Sequence, residues 1–461
     1  MSYYYGRPKK AKADPPVFKP ELYEKTDAIA SDLSQKFKSC RKPFASSGVI
    51  PLKDTLKDLR FATLPLDNLA SETVWKAGAP SKFGHDNTDV YDESYRKATE
   101  IRLPDFALSA DPLLVGNVLR QIEHLMGTTK HLRAEPYKLN AYGPGGLFKA
   151  HRDTPKSNDH VGTITMCLPS TFTGGDLVVR HAGVTCRSDW SNLKDEIGWM
   201  FLYSDCEHEV LPVESGTRIT IAYDVFAADK QQNYSEDAAL KALEQALKEA
   251  YDDKDFLPEG GWVGLGLKHS YPLEKFKPKV TQQVGDHLKG SDNTWYQAVK
   301  HLGLEHKFVG IYDMDSIFYY RAGQNEGYYK FADRFLTTYN TFHRMTNAMI
   351  GDGYDGDYWQ NYNFAEEHIA WLTEPEAYGG KNHYARYGNE WSSAVCYVAL
   401  GLTIKFPPPA ERVSVEGHMC KLSGAQENSG STEDVLRTRA AVLLDVRSRD
   451  PPAPHVPSRW V

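Results

Sequence analysis

Long hydrophobic runs are missing from this chain. No stretch approaches the roughly 18–20 apolar residues that a membrane-crossing helix needs, so no membrane partner is expected. The opening residues Met1-Ser2-Tyr3-Tyr4-Tyr5-Gly6-Arg7 lack the apolar centre of a secretory signal. Cysteine is scarce: Cys40, Cys167, Cys186, Cys206, Cys396 and Cys420 show no paired spacing. That argues against a disulfide framework and for reduced thiols in the cytoplasm. Basic tracts are scarce as well. Arg7-Pro8-Lys9-Lys10-Ala11-Lys12 reads as a solvated tail, with a nuclear address as the weaker alternative. The net charge is −7, and no basic tract of useful length follows the N-terminus, so nucleic acid is not an expected partner. There is no internal repeat.

What is present suits a globular enzyme. The 461 residues are 41% hydrophobic and 25% charged, enough for two or three domains. Residues 1–20 carry Pro8, Pro15, Pro16 and Pro20 and read as a disordered tail. Residues 21–135 read as a helical and mixed support region. Amphipathic helices over 21–37 and 111–126 are expected to brace a β core from outside. Residues 136–230 hold short β-branched segments between glycine turns, with strands over 161–169, 177–181, 197–203 and 217–226. Many short strands of this kind suggest a sandwich or barrel.

Residues 231–425 form a further lobe, dense in aromatics such as Trp262, Tyr271, Trp295, Tyr312, Tyr319 and Tyr328. It is expected to carry a helix from Ser235 to about residue 252, a helix over 294–302 and a strand over 395–406. It either covers the mouth of the core or buries its edges. Residues 426–461, proline-rich at the end, read as a flexible tail. The fold class is therefore mainly β with flanking helices, an α+β chain.

Chemistry concentrates at His151, Asp153 and His208. In an extended strand, residues i and i+2 share a face, so His151 and Asp153 can reach one metal while Arg152 points away. His208, after a later strand, can supply a third ligand. Two histidines and one carboxylate leave half of an octahedral ion open, the arrangement of non-haem Fe(II) oxygenases. Arg218 follows on the next strand, and a buried guanidinium there wants a carboxylate. Thr220 shares its face, and Tyr142 offers a phenol donor. Alone, an H-x-D is most often surface text, and a histidine at a strand end is most often solvated. The joint pattern is what carries weight.

Other features are weaker. The run Asp352-Gly353-Tyr354-Asp355-Gly356-Asp357 lacks calcium-loop spacing and reads as an acidic turn. Cys206 has no second pair for zinc. His343, His368 and His383 are isolated, and His181 ranks below His151 and His208.

Residues 138–226 resemble the catalytic core of the prolyl-4-hydroxylase-type 2-oxoglutarate/Fe(II) dioxygenases, and more closely a set of fungal proteins of that superfamily. The likeness is carried by Tyr142-Gly143, Gly145-Gly146, Phe148, His151-Arg152-Asp153-Thr154, Leu168-Pro169-Ser170, Gly174-Gly175-Asp176, Tyr203-Ser204-Asp205, Glu207-His208-Glu209-Val210 and Gly216-Thr217-Arg218. The earlier Asp92-Glu93-Ser94-Tyr95-Arg96-Lys97-Ala98 shares it. The resemblance implies a double-stranded β-helix (jelly roll) core plus the additional C-terminal lobe. It implies Fe(II) on His151, Asp153 and His208, and 2-oxoglutarate with its far carboxylate on Arg218, Thr220 and Tyr142. Dioxygen is the implied co-substrate, and ascorbate an optional reductant. Collagen-type members carry Lys where this chain has Arg218, a change that keeps the cation.

The implied reaction releases succinate and CO2 and oxidises an unactivated C–H bond, with hydroxylation, desaturation or ring closure as outcomes. The expected substrate is a small molecule such as an amino acid or natural-product intermediate. The alternatives are a protein prolyl hydroxylase and a non-catalytic 2-oxoglutarate-binding sensor module. The oligomeric state is not read from the sequence.

Overall fold

The β-branched middle of the chain pairs into two antiparallel sheets that share one core. A computed structural model describes residues 24–52, 58–59, 62–85, 88–108, 110–128, 130–231, 238–274, 280–313, 348–351, 369–373, 378–379, 387–388, 395–413 and 415. All lie in the compact unit Met1–Val415. The larger sheet has seven strands in the order Ala45–Pro51, Glu196–Tyr203, His160–Cys167, Arg218–Gln231, Lys130–Tyr142, Thr99–Arg102 and Ala79–Pro80. The smaller has five: Val184–Ser188, Leu177–His181, Glu207–Val210, Leu147–His151 and Arg96–Lys97. Leu139, Ile164, Phe201 and Ile219 of the large sheet and Leu177, Val179 and Val210 of the small one belong to that buried core. The chain is thus mostly β-strand with a few helices, around a jelly-roll core.

Local sequence explains the layout. The strand Glu196–Tyr203 is almost wholly apolar because it is interior to the large sheet, flanked by Ala45–Pro51 and His160–Cys167. Gly48 lies under Trp199, where a Cβ would meet the indole at 2.9 Å. The expected helix over 111–126 is broken in two, Pro112–Val115 and Val118–Met126. Asn117 between them adopts a left-handed φ of 51°, which a continuous helix does not admit.

A second core forms around a six-stranded sheet. It runs Ala348–Gly351, His306–Asp313, Val395–Phe406, Gly261–Glu274 and Ile369–Thr373, with Tyr378–Gly379 paired to His306–Asp313. The helices Ala238–Asp252 and Gly290–His301 bury Leu243, Leu247, Trp295 and Val299 in that core. The first helix, Glu24–Ser39, was expected to brace the jelly roll. It sits instead on the second core through Ala30, Leu33 and Phe37, with Phe37 edge-on to Trp295 at 5.9 Å. Amphipathic spacing says which face is buried and not against what. No helix among the described residues is long and apolar enough to cross a membrane. The tails 1–20 and 426–461, Ser235, Tyr319, Tyr328, the run 352–357, and His343, His368 and His383 lie outside the described residues.

Candidate metal centre and co-substrate pocket

Strands Leu147–His151 and Glu207–Val210 are neighbours, and His151 and His208 are direct cross-strand partners. Their rings come to 4.2 Å between centroids. The sequence reading placed Asp153 on the same strand as His151, but the strand ends at His151. Pro155 lies just beyond, cannot donate to a ladder, and biases Thr154 toward an extended connection. Asp153 is therefore held from elsewhere. The Thr163 hydroxyl donates to its Oδ2 at 2.5 Å, and the Tyr397 hydroxyl donates to its backbone carbonyl at 2.9 Å. Its Oδ1 stands 3.7 Å from His208 Nε2. One ligand atom from each of His151, Asp153 and His208 lies within 4.8 Å of the others, and all three residues are buried.

Both imidazoles are fixed in the same sense. Nδ1 of His151 lies 2.8 Å from the Lys149 carbonyl, and Nδ1 of His208 lies 3.1 Å from the Cys206 carbonyl. A carbonyl only accepts, so each Nδ1 carries the proton and each Nε2 keeps its lone pair. Burial, and then the neighbouring His208, hold the His151 pKa well below the ordinary imidazole value. A neutral imidazole is the form that binds a metal. Phe148 stacks on His151 at 3.6 Å and fixes its plane. Two oriented nitrogens and one hydrogen-bonded carboxylate suit a divalent ion such as Fe(II).

Arg218, the first residue of its strand, pairs in register with Tyr142. Its side chain is 1% exposed, and none of its three guanidinium nitrogens has a hydrogen-bond partner among the described residues. The rings of Tyr142 and Trp190 flank it, each 5.4 Å from its Cζ. Gly175 makes the space: at φ +72° it has no Cβ, and one would meet Arg218 Cδ at 2.9 Å. An unpartnered buried guanidinium is costly and fits a carboxylate that arrives with a ligand. Thr220 is buried on the same face, opposite Cys167 and Asn140. The chain therefore brings His151, Asp153 and His208 into one cluster, and Arg218, Thr220 and Tyr142 onto the adjoining inner face.

His181, ranked below these residues from sequence, joins a separate group with Asp205 and His269. Its ring stacks on His269 at 4.3 Å. Asp205 already has its counter-charge, since Lys289 Nζ reaches Oδ1 at 2.8 Å and Ser270 N donates to Oδ2 at 2.9 Å. Burial alone would raise the Asp205 pKa, but the Lys289 ammonium and His269 outweigh it and hold the carboxyl well below its usual range. An ammonium in that position opposes a second metal.

Sequence reasoning missed three supporting residues. Thr163 could have been found as an inward position on an alternating strand. Phe148 stood in the motif without a role. Tyr397 gave no signal, because its partner lies far away in the chain.

Residues 137–223 match the model of the 2OG-Fe(II) oxygenase superfamily. Comparison with curated proteins finds no match. Among solved structures, a Pseudomonas putida prolyl-4-hydroxylase is 16% identical, covering 43% of this chain and 99% of its own at a TM-score of 0.28. A 2OG-Fe(II) oxygenase family oxidoreductase from Burkholderia pseudomallei is 14% identical, covering 44% and 94%, at 0.26. A Trichoplax adhaerens prolyl hydroxylase, solved with a hypoxia inducible factor peptide fragment, is 15% identical, covering 46% and 94%, at 0.28. With a 2OG-Fe(II) oxygenase domain at residues 137–223 and a His-Asp-His cluster able to hold the metal within it, the chain is a 2-oxoglutarate-dependent non-haem iron dioxygenase that uses Fe(II) and 2-oxoglutarate.

Proposed function

We propose that the enzyme oxidises an unactivated C–H position of a small molecule, with hydroxylation as the ordinary outcome. His151 Nε2, an Asp153 carboxylate oxygen and His208 Nε2 hold Fe(II). Arg218 binds the far carboxylate of 2-oxoglutarate, with Thr220 and Tyr142 beside it. The observation that carries this reading is the unpartnered, buried Arg218 guanidinium on the inner face next to the oriented His-Asp-His cluster. When bound, the metal and co-substrate supply oxidative decarboxylation to succinate and CO2 and the oxidising equivalent for the C–H bond.

The protein's own residues orient and enclose. Thr163 fixes the Asp153 carboxylate, and the Lys149 and Cys206 carbonyls fix the imidazole tautomers. Burial of the cluster excludes water from it. The second sheet favours a small substrate over a protein segment: Tyr397, 4% exposed, reaches in to the Asp153 carbonyl, and this reading makes the C-terminal lobe a cover over the mouth.

The test is succinate formation by anaerobically Fe(II)-loaded protein after oxygen is admitted, with free amino acids and proline-containing peptides as separate panels. Stimulation by free small molecules supports the proposal. Stimulation by peptides alone overturns it for a prolyl hydroxylase. Binding of both Fe(II) and 2-oxoglutarate without any succinate, even uncoupled, overturns it for a sensor.

A further inference from the structure

Lys138, Asn140 and Tyr142 occupy successive positions of one face of their strand, opposite Ala222, Thr220 and Arg218. That face carries the co-substrate pocket at Arg218 and continues to Asp224, whose cross-strand partner Thr163 holds Asp153. Arg96, on the adjoining small sheet, lies over the Phe148 ring at 4.4 Å, and Phe148 stacks on His151. A guanidinium, a phenyl ring and a ligand imidazole are thus layered beside the metal cluster.

The charges along this wall do not balance. Arg96 and Lys138 are 2% and 3% exposed. Arg96 Nη2 donates to Asn140 Oδ1 at 3.0 Å, and its Nη1 donates to the Lys82 carbonyl at 2.6 Å. Its Nε is buried with no hydrogen-bond partner. One carboxylate serves both cations: Glu100 Oε2 stands 3.1 Å from Lys138 Nζ and 3.8 Å from Arg96 Nη2. Arg102 takes the other oxygen of Glu100 at 2.8 Å. Two buried cations therefore share less than one anion. Burial, and then Arg96, push the Lys138 pKa down to about 7, and Glu100 only partly offsets them. The next acid along the face, Asp224, is already engaged by Lys156 at 2.6 Å. A buried excess of positive charge is costly unless a ligand supplies the missing anion. The anion at Arg218 is assigned to 2-oxoglutarate, so Arg96 and Lys138 await a second one.

We propose that Arg96 and Lys138 form the anion subsite for the oxidised substrate, which is a small molecule bearing a carboxylate. The proposal rests on the dioxygenase reading of His151, Asp153 and His208. Its carboxylate supplies the charge that Glu100 cannot, and the layered Phe148 sets that charge beside the metal cluster.

The experiment uses the full chain, loaded anaerobically with Fe(II) and 2-oxoglutarate. The probes are the twenty free amino acids, their amides, and small hydroxy acids. Binding is read from perturbation of the visible Fe(II)–2-oxoglutarate absorption, and coupling from succinate once oxygen enters. Acids are expected to bind about 30-fold or more tightly than the matching amides, since losing one partner of a buried charge pair removes at least that much. Lys138→Met is expected to abolish the acid-over-amide preference, and Lys138→Arg to keep it. Equal binding of acid and amide, a preference that survives in Lys138→Met, or a formed Fe(II)–2-oxoglutarate complex that binds no acid overturns the proposal. Failure of the Fe(II)–2-oxoglutarate absorption to form at all overturns the underlying dioxygenase reading, and the subsite with it.

Discussion

The Tyr397 hydroxyl donates a 2.9 Å hydrogen bond to the backbone carbonyl of Asp153. Tyr397 belongs to the second sheet, whereas Asp153 hangs off the end of a jelly-roll strand with no ladder of its own. The bond is buried, so nothing in solvent replaces it when it is removed. Tyr397→Phe is therefore expected to loosen Asp153 and weaken Fe(II) binding by about tenfold, the lower end for groups that orient metal ligands. Anaerobic Fe(II) titration of wild type and variant measures it. An unchanged affinity would show that the Tyr397 bond does not help to hold the carboxylate in place.

Arg218 carries a trade-off between stability and function. Its guanidinium is buried without a hydrogen-bond partner among the described residues. Arg218→Met removes an uncompensated charge and should stabilise the protein free of 2-oxoglutarate, while weakening 2-oxoglutarate binding by about 30-fold or more. Arg218→Lys keeps the charge and should bind better than Met. Thermal unfolding with and without 2-oxoglutarate reads both effects, because a ligand that binds only the native state raises the midpoint in proportion to its affinity. A Met variant that is less stable than wild type without ligand would contradict the argument.

Lys289 is the cation of a buried group that joins the two cores. It meets Asp205 at 2.8 Å, and both side chains are 2% exposed. Asp205 stands on the turn that leads to His208, and Lys289 precedes the helix Gly290–His301 of the second core. Lys289→Met leaves a buried carboxylate with Ser270 N and His269 as its remaining partners. The expected loss is about 3–5 kcal/mol in urea unfolding. Adding Asp205→Asn should recover part of it, whereas a double variant no more stable than the single one would show that Asp205 stays satisfied without Lys289.

The parts of this molecule that follow a local rule are legible in its sequence. β-Branched text between turn formers marks His160–Cys167, a continuous apolar run marks Glu196–Tyr203, and period-two alternation marks the start of Arg218–Gln231. Asp153 departs from the rule because Pro155 follows it and the ladder stops at His151. The break at Asn117 depends on one backbone angle that helical periodicity does not encode. Non-local relationships leave no trace in a single sequence: Tyr397 with Asp153, Lys289 with Asp205, and the first helix with the second core are set by topology.

His160 sets part of the acid limit of stability. It is 1% exposed, and neither ring nitrogen has a hydrogen-bond partner among the described residues. Burial holds its pKa at about 4, below the ordinary 6.5, despite the nearby Asp153 charge. Between those two values the unfolded chain binds a proton at this ring that the folded chain does not. Stability is then fully present above pH 6.5 and falls as pH drops toward 4. At about pH 5 this one residue should account for roughly 2 kcal/mol of lost stability. His160→Phe keeps an aromatic ring beside Phe226, which the imidazole faces at 5.3 Å, and removes the titration. Urea unfolding of metal-free wild type and variant at about pH 7 and about pH 5 should show the variant losing roughly 2 kcal/mol less over that interval. Equal losses would mean that the buried imidazole gains a proton in the folded state as readily as in the unfolded one.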